Sequence, residues 1–154
     1  MHIKPASNAD DIEIVRGLLL EYQQKLGVDL CFQGFAAELA GLPGSYAPPT
    51  GRLLIASHDG EAVGCIALQR IDASRAEMKR LYVRPTARGS GVGRALVINI
   101  LDEARSTGYL EIVLDTLPSM IEAQRLYENL GFIEIEAYRP NPIPGTRYLG
   151  KSLR

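Results

Sequence analysis

Arg80-Leu81-Tyr82-Val83-Arg84-Pro85-Thr86-Ala87-Arg88-Gly89-Ser90-Gly91-Val92-Gly93-Arg94-Ala95-Leu96 is the stretch on which the reading of this chain turns. Residues 77–83 alternate polar and apolar and then run apolar into Arg84-Pro85, which should stop a strand. The glycines at 89, 91 and 93 let backbone N–H groups turn toward a ligand without side-chain obstruction. A helix beginning there adds unpaired N–H donors and the positive end of its dipole. Arg88 and Arg94 flank the turn with forked donors suited to phosphate oxygens. The glycines alone fit a plain strand-to-helix connection equally well. GxGxxG would need Gly at 94 or 96, where Arg94 and Leu96 stand, and no Gly-Lys-Ser/Thr follows for a Walker A loop. An anion cradle of another type is what remains.

Outward from this segment, the pattern predicts a helix near 93–106 with Leu96, Val97, Ile100, Leu101 and Ala104 inward and Gly108 past its end. Leu110–Leu114 reads as a strand, and Pro118 is expected to open a helix carrying Met120, Ala123, Leu126, Tyr127 and Leu130 up to Gly131. Two late strands are expected near 132–138 and 146–153. Upstream, residues 8–26 form an amphipathic helix, with Ser7 as its expected cap and Gly27 closing it. A short helix at 35–40 and a loop at 42–49 read as a variable lid. Leu53–Ala56 and Ala62–Leu68 make a hairpin around Asp59-Gly60, a pair suited to the positive backbone angles of a tight turn. The expected order is helix, hairpin, strand, helix, strand, helix, hairpin.

The chain has 154 residues, enough for a single domain over 1–154 with one continuous core. Its 17 basic and 18 acidic side chains leave a formal charge of −1, so no global field draws in nucleic acid or an anionic membrane. No apolar run approaches the ~20 residues of a bilayer span, and the N-terminus lacks a signal-peptide core, which points to the cytoplasm. Cys31 and Cys65 form no CxxC pair and have only His2 and His58 as histidine companions. Two buried apolar thiols, and no metal site, are expected.

Arg88-Gly89-Ser90-Gly91-Val92-Gly93 resembles the Arg/Gln-x-x-Gly-x-Gly/Ala signature of the GNAT superfamily of N-acetyltransferases. Ala123-Gln124-Arg125-Leu126-Tyr127-Glu128-Asn129-Leu130-Gly131-Phe132 resembles that family's Ala-x-x-Leu-Tyr-x-x-x-Gly-Phe helix end. The two segments lie in the family's order with one strand between them. The resemblance implies an α+β, acyl-CoA N-acyltransferase fold: a mixed, mostly antiparallel sheet flanked by helices and splayed between the strands at 77–83 and 110–115. It implies acetyl-CoA as co-substrate, its pantetheine arm lying in that gap along Leu81, Tyr82 and Val83. The pyrophosphate would be held by Arg88, Gly89, Ser90, Gly91, Val92, Gly93 and Arg94. Met120 stands where many members carry Asn.

An alkyl amine of pKa near ~10 is protonated at neutral pH and must lose a proton before attacking a thioester, while the departing thiolate gains from a donor. The resemblance places the Tyr127 hydroxyl beside the thioester sulfur as that donor; a core aromatic is the competing reading. Glu77 is the candidate base, against a solvated or salt-bridged acid at the strand start, and the Val83 N–H could polarise the carbonyl. No Ser-His-Asp or Cys-His arrangement supports an acyl-enzyme, so direct transfer in a ternary complex is expected. Lys79 and Arg80 read as solvated strand charges. Tyr22, Cys31, Phe32, Gln33 and Phe35 lie in or beside the segment lining the acceptor site in similar proteins. Arg139–Gly145 reads as a rigid turn ahead of an acceptor wall. The acceptor expected is a small-molecule amine; acetylation of a protein or peptide, and a non-catalytic coenzyme-binding module, are the alternatives. The late strands could pair across a homodimer.

Overall fold

The computed structural model of the chain describes residues 1–27 and 34–154. Helix α1 (Ala9–Leu26) starts one residue later than a Ser7 cap would place it, because Asn8 is the cap: its side chain accepts the Asp11 N–H at 2.8 Å. Ser7 takes part in return, its N–H donating to Asp11 Oδ2 at 3.1 Å, so the first turn is closed from both sides. Gly27, at φ 69°, ends the helix in the left-handed conformation that glycine adopts without strain. Helix α2 (Phe35–Ala40) follows, and a single 3-10 turn at Gly44–Tyr46 lies inside the expected loop.

Among the described residues, seven strands make one sheet in the order β1-β2-β3-β4-β5-β7-β6. Strand β1 (His2–Pro5) was not expected. Four residues including Lys4 and Pro5 carry no alternation to read, and they are strand only because they lie antiparallel along β2 (Arg52–His58). Strands β2 and β3 (Glu61–Arg70) form the expected hairpin, with Asp59 at φ 52° and Gly60 at φ 80° in its turn. Strand β4 (Arg75–Val83) pairs antiparallel with β3 and parallel with β5 (Glu111–Thr116). Helix α3 (Val92–Thr107) connects the two. Helix α4 (Ile121–Asn129) begins three residues beyond Pro118, since Met120 N–H closes a turn onto the Leu117 carbonyl at 3.0 Å first. Of the late strands, β7 (Arg147–Ser152) is as expected, while β6 shrinks to Ile133–Glu134. One further bond, from Ile135 N–H to the Tyr148 carbonyl at 2.9 Å, follows it, and the chain then departs to bring Tyr138 and Arg139 onto Glu77.

Both faces of the sheet are covered, so β2 reads as a nearly unbroken apolar run. Leu54, Ile66, Leu68 and Met78 pack with Leu96 and Ile100 of α3 on one side. Leu53, Ile55, Cys65 and Tyr82 pack with Val15, Leu18 and Leu19 of α1 on the other. Strand β4 changes sides partway: Met78 belongs to the α3 core, yet Tyr82, four residues on, belongs to the α1 core. An unbroken strand would keep residues of one parity on one face. The change occurs at Arg80, at φ 62° in the left-handed region, where the β3–β4 register also slips between Cys65 and Ala67. After pairing β5 from Arg75 to Glu77, β4 leaves it, and a gap opens between the strand ends.

None of the helices is long and apolar enough to cross a membrane among the described residues. Gly64 lies opposite Val83 beside this irregular region, and a Cβ there would come within 2.7 Å of the Tyr82 carbonyl oxygen and 3.3 Å of Leu96. Gly64→Ala is expected to lower stability by about 1–3 kcal/mol through overpacking, read as a fall in the denaturant midpoint at unchanged slope.

Candidate active site

The gap between β4 and β5 is one side of a cleft of about 670 Å³ that runs from the start of α3 to the start of α4. At its α3 end the chain leaves β4 through Arg84-Pro85, makes a 3-10 turn over Pro85–Ala87, and enters the helix through Gly89 at φ 80° and Gly91 at φ 85°. Both angles suit glycine and disfavour side chains with a Cβ. The first α3 bond runs from Ala95 N–H to the Gly91 carbonyl, and Gly91 caps the helix without any side-chain acceptor. Among the described residues, the N–H groups from Gly89 through Arg94 have no protein acceptor, which leaves a continuous row of donors at a helix N-terminus. Arg88, Arg94 and, from α1, Lys25 add positive charge to the cleft lining. Arg88 Nε meanwhile donates to the Val83 carbonyl at 3.1 Å, and the Ser90 hydroxyl donates to the Ala87 carbonyl. This concentration of donors and cations fits a pyrophosphate, in a chain whose overall charge is close to zero.

The middle of the cleft is formed by Leu81, Tyr82 and Val83 of β4 facing Leu114 and Asp115 of β5. The Tyr82 side chain itself turns to the α1 core, where its hydroxyl donates to Glu21 at 3.1 Å. Tyr127, on α4, is 6% exposed and packs its ring 5.6 Å from that of Phe132. Its hydroxyl has no hydrogen-bond partner among the described residues, although the side chain lines the cleft. Burial pushes its ionisation well above the usual tyrosine range, so it holds its proton at any working pH. A buried hydroxyl without a protein partner is rare unless something else takes up the bond.

On the α1 and α2 side, the expected strand charges behave differently from one another. Arg80 is not solvated: its side chain is 2% exposed and donates bidentately to Glu38 of α2, at 2.9 and 2.8 Å, with the guanidinium 5.1 Å from the centre of the Phe35 ring. The bulge turns this residue into the α1 core, and desolvation then demands a partner. Lys79 stays at the surface of two cavities, the main cleft and a smaller one of about 280 Å³ under α2 and the 3-10 turn. Glu77, the third residue of β4, is fully buried. Its carboxylate accepts from Gln69 Nε2 and the Tyr138 hydroxyl, both at 2.7 Å, and from the Arg139 guanidinium. It does not line the main cleft. Asn141 does, with its amide 3.3 Å from Asp115 Oδ2, so the Arg139–Gly145 stretch contributes a wall as well as a turn.

Residues 22–132 match the family model described as the Acetyltransferase (GNAT) family. The chain belongs to the GNAT acetyltransferase family. It is therefore an acyltransferase, with the mixed α+β sheet that the family resemblance implied. An uncharacterized N-acetyltransferase of Schizosaccharomyces pombe is 42% identical over 141 residues, covering 90% of this chain and 86% of that one. A GNAT-family acetyltransferase of Staphylococcus aureus superposes with a TM-score of 0.83 at 24% identity, over 99% of each chain. An aminoglycoside 6'-N-acetyltransferase solved in complex with coenzyme A superposes at 0.76 with 17% identity, over 100% of this chain and 98% of that one. The last two likenesses concern fold.

Within this GNAT chain the structure brings the glycine turn, the β4 end and Tyr127 to one cleft, and leaves Glu77 behind its wall. Met120 also lines the cleft, its sulfur accepting from the Thr116 hydroxyl at 3.7 Å. Cys65 is buried, and desolvation pushes its thiol up to about 12, which makes it inert; Cys31, Phe32 and Gln33 lie outside the described residues. Asp115, like Lys25, is a charged cleft residue that the sequence reading missed. The Asp115 acid stands in an apolar strand and became visible only once β5 was known to border the gap. Gly91→Val is expected to abolish coenzyme binding in a folded protein, because a β-branched residue resists φ near 85° and its methyls would stand where the free N–H row opens. Calorimetric titration with acetyl-CoA checks this, and unchanged affinity would remove the cradle.

Proposed function

We propose that this GNAT enzyme transfers an acetyl group from acetyl-CoA directly to the amine of a small molecule. The observation that carries the reading is that one cleft has a row of unpartnered backbone donors at one end and an unpartnered buried hydroxyl at the other. The donors from Gly89 to Arg94, with Arg88 and Arg94, would hold the pyrophosphate. The open edge of β4 from Leu81 to Val83 would take the pantetheine arm. The acceptor nitrogen attacks the thioester carbonyl, the C–N bond forms and the C–S bond breaks. Tyr127 supplies a proton to the departing sulfur and is reprotonated by the second proton that the nitrogen sheds as the amide forms.

A proton must also leave the acceptor ammonium. Glu77 is held by three hydrogen bonds, one of them from a guanidinium, and these surroundings favour its salt-bridged role, in which it fixes Arg139 and Tyr138. Asp115 offers a carboxylate on the cleft wall and is the better-placed group to receive the ammonium and pass its proton to water. The small-molecule reading, over a protein or peptide acceptor, is supported by the covering of the acceptor side. Phe35 and Glu38 tie α2 to Arg80 on the sheet beside a cavity of about 280 Å³, a volume suited to a small acceptor.

Release of thiol from acetyl-CoA across a panel of free amines and amino acids tests the activity. In the same assay Tyr127→Phe is expected to lower kcat by ~10²–10⁴-fold, with smaller changes in either KM and a near-native melting temperature. The substitution keeps the ring packed on Phe132 and removes only the hydroxyl. A kcat within about twofold of native, with chemistry rate-limiting, would take the donor role from Tyr127.

A further inference from the structure

The smaller cavity, about 280 Å³, is lined by Glu38, Ser45, Gln69, Lys79 and Arg139 among others, and Lys79 is also part of the wall of the main cleft. A ligand held there can therefore extend toward the transfer site. The charges around it do not balance. Two acids face three cations: both Glu38 oxygens are engaged by Arg80, and both Glu77 oxygens are engaged by Gln69, Tyr138 and Arg139. Lys79 makes no ion pair or hydrogen bond among the described residues. It is nonetheless partly removed from water, and this burial, together with the neighbouring Arg80, lowers its pKa. A desolvated cation without a partner is costly.

The remaining polar groups are already ordered around this ammonium. Ser45 Oγ donates to Gln69 Oε1 at 2.7 Å, and Gln69 in turn donates to Glu77, so the carboxylate that orients Arg139 is itself fixed. Arg139 keeps 37% of its side chain exposed beyond its contact with Glu77. The cluster thus lacks one negative charge, and it presents an unpaired ammonium beside a half-engaged guanidinium. A monoanion with two oxygens meets that requirement, whereas a phosphate dianion would overshoot it.

We infer that the acceptor carries a carboxylate, received by Lys79 with Arg139 beside it, so that the substrate class is amino acids and related amino-carboxylic acids. The inference rests on the small-molecule acetyltransferase reading. The carboxylate neutralises Lys79 in the smaller cavity, and the amine of the same molecule is directed past Lys79 into the main cleft, toward Asp115 and Tyr127. Acceptor choice becomes a matter of charge. A simple amine leaves Lys79 unpaired on binding, and an amino acid does not.

The test pairs each L-amino acid with its methyl ester as acceptor, with acetyl-CoA as donor and thiol release as the readout. The native enzyme is expected to favour the free acids, chiefly through acceptor KM. Lys79→Met should cut the acid-to-ester ratio of kcat/KM on the order of tenfold to a hundredfold, with Lys79→Arg recovering part of it. Using the ratio cancels the lower amine basicity of esters. The melting temperature of Lys79→Met should not fall, since an unpaired cation is removed. Should that variant not fold, calorimetry on the native protein with coenzyme A present decides: amino acids bind measurably more tightly than their esters. An unchanged ratio in Lys79→Met, equal treatment of acids and esters by the native enzyme, or a kcat loss shared by both acceptor sets overturns the carboxylate site. If amines and esters are acetylated and acids are not, only this inference falls. If no acceptor releases thiol, the activity falls with it.

Discussion

The backbone conformation at Arg80 is the constraint from which the working parts of this protein follow. A left-handed residue in the middle of β4 slips the register against β3 and turns the following residues over, so Tyr82 faces α1 while Met78 faces α3. The same turn carries the strand end away from β5, and the cleft is the space left between them. A non-glycine residue there is unfavourable on its own. It is held by what its side chain reaches: the Glu38 carboxylate on both oxygens and the ring of Phe35 beneath the guanidinium. One residue thereby opens the main cleft and ties α2 over the smaller cavity.

The two ends of the cleft use different physics. At α3 the cleft surface is backbone: glycine angles expose N–H groups, and the helix start leaves them without partners. At α4 it is a single side chain, Tyr127, whose ring is packed and whose hydroxyl is not satisfied by protein. Burial keeps the phenol protonated, which is the state a donor to a leaving thiolate needs. The smaller cavity is a third regime, a charge cluster in which Arg80 and Arg139 are matched by acids and Lys79 is not.

Much of the candidate site was legible because its signals are local. Glycines at alternate positions followed by a helix pattern are a backbone statement, and the angles at Gly89 and Gly91 answer it directly. The Tyr127 segment was readable through its resemblance to a family helix end. Strand β1 was not, since its pairing with β2 is the whole reason it is extended. Nor was the shortness of β6, because the chain beyond it is drawn to Glu77 through Tyr138 and Arg139. Glu77 was visible as an acid in β4, yet its role depends on Tyr138 and Arg139, some sixty residues away in sequence.

The sequence by itself determined the order of elements from α1 onward, the hairpin at Asp59-Gly60, the glycine turn ahead of α3 and the membership of the family, since each rests on periodicity, turn chemistry or motif within a short window. Tertiary structure alone decided which charges are free. Lys79 and Arg80 are adjacent and chemically alike, and nothing in their order distinguishes them. The bulge directs Arg80 into the α1 core, where α2 supplies its carboxylate, and leaves Lys79 facing two cavities with no ion pair among the described residues. Partnership between charges is set by approach in space, and the approach here is made by elements from distant parts of the chain.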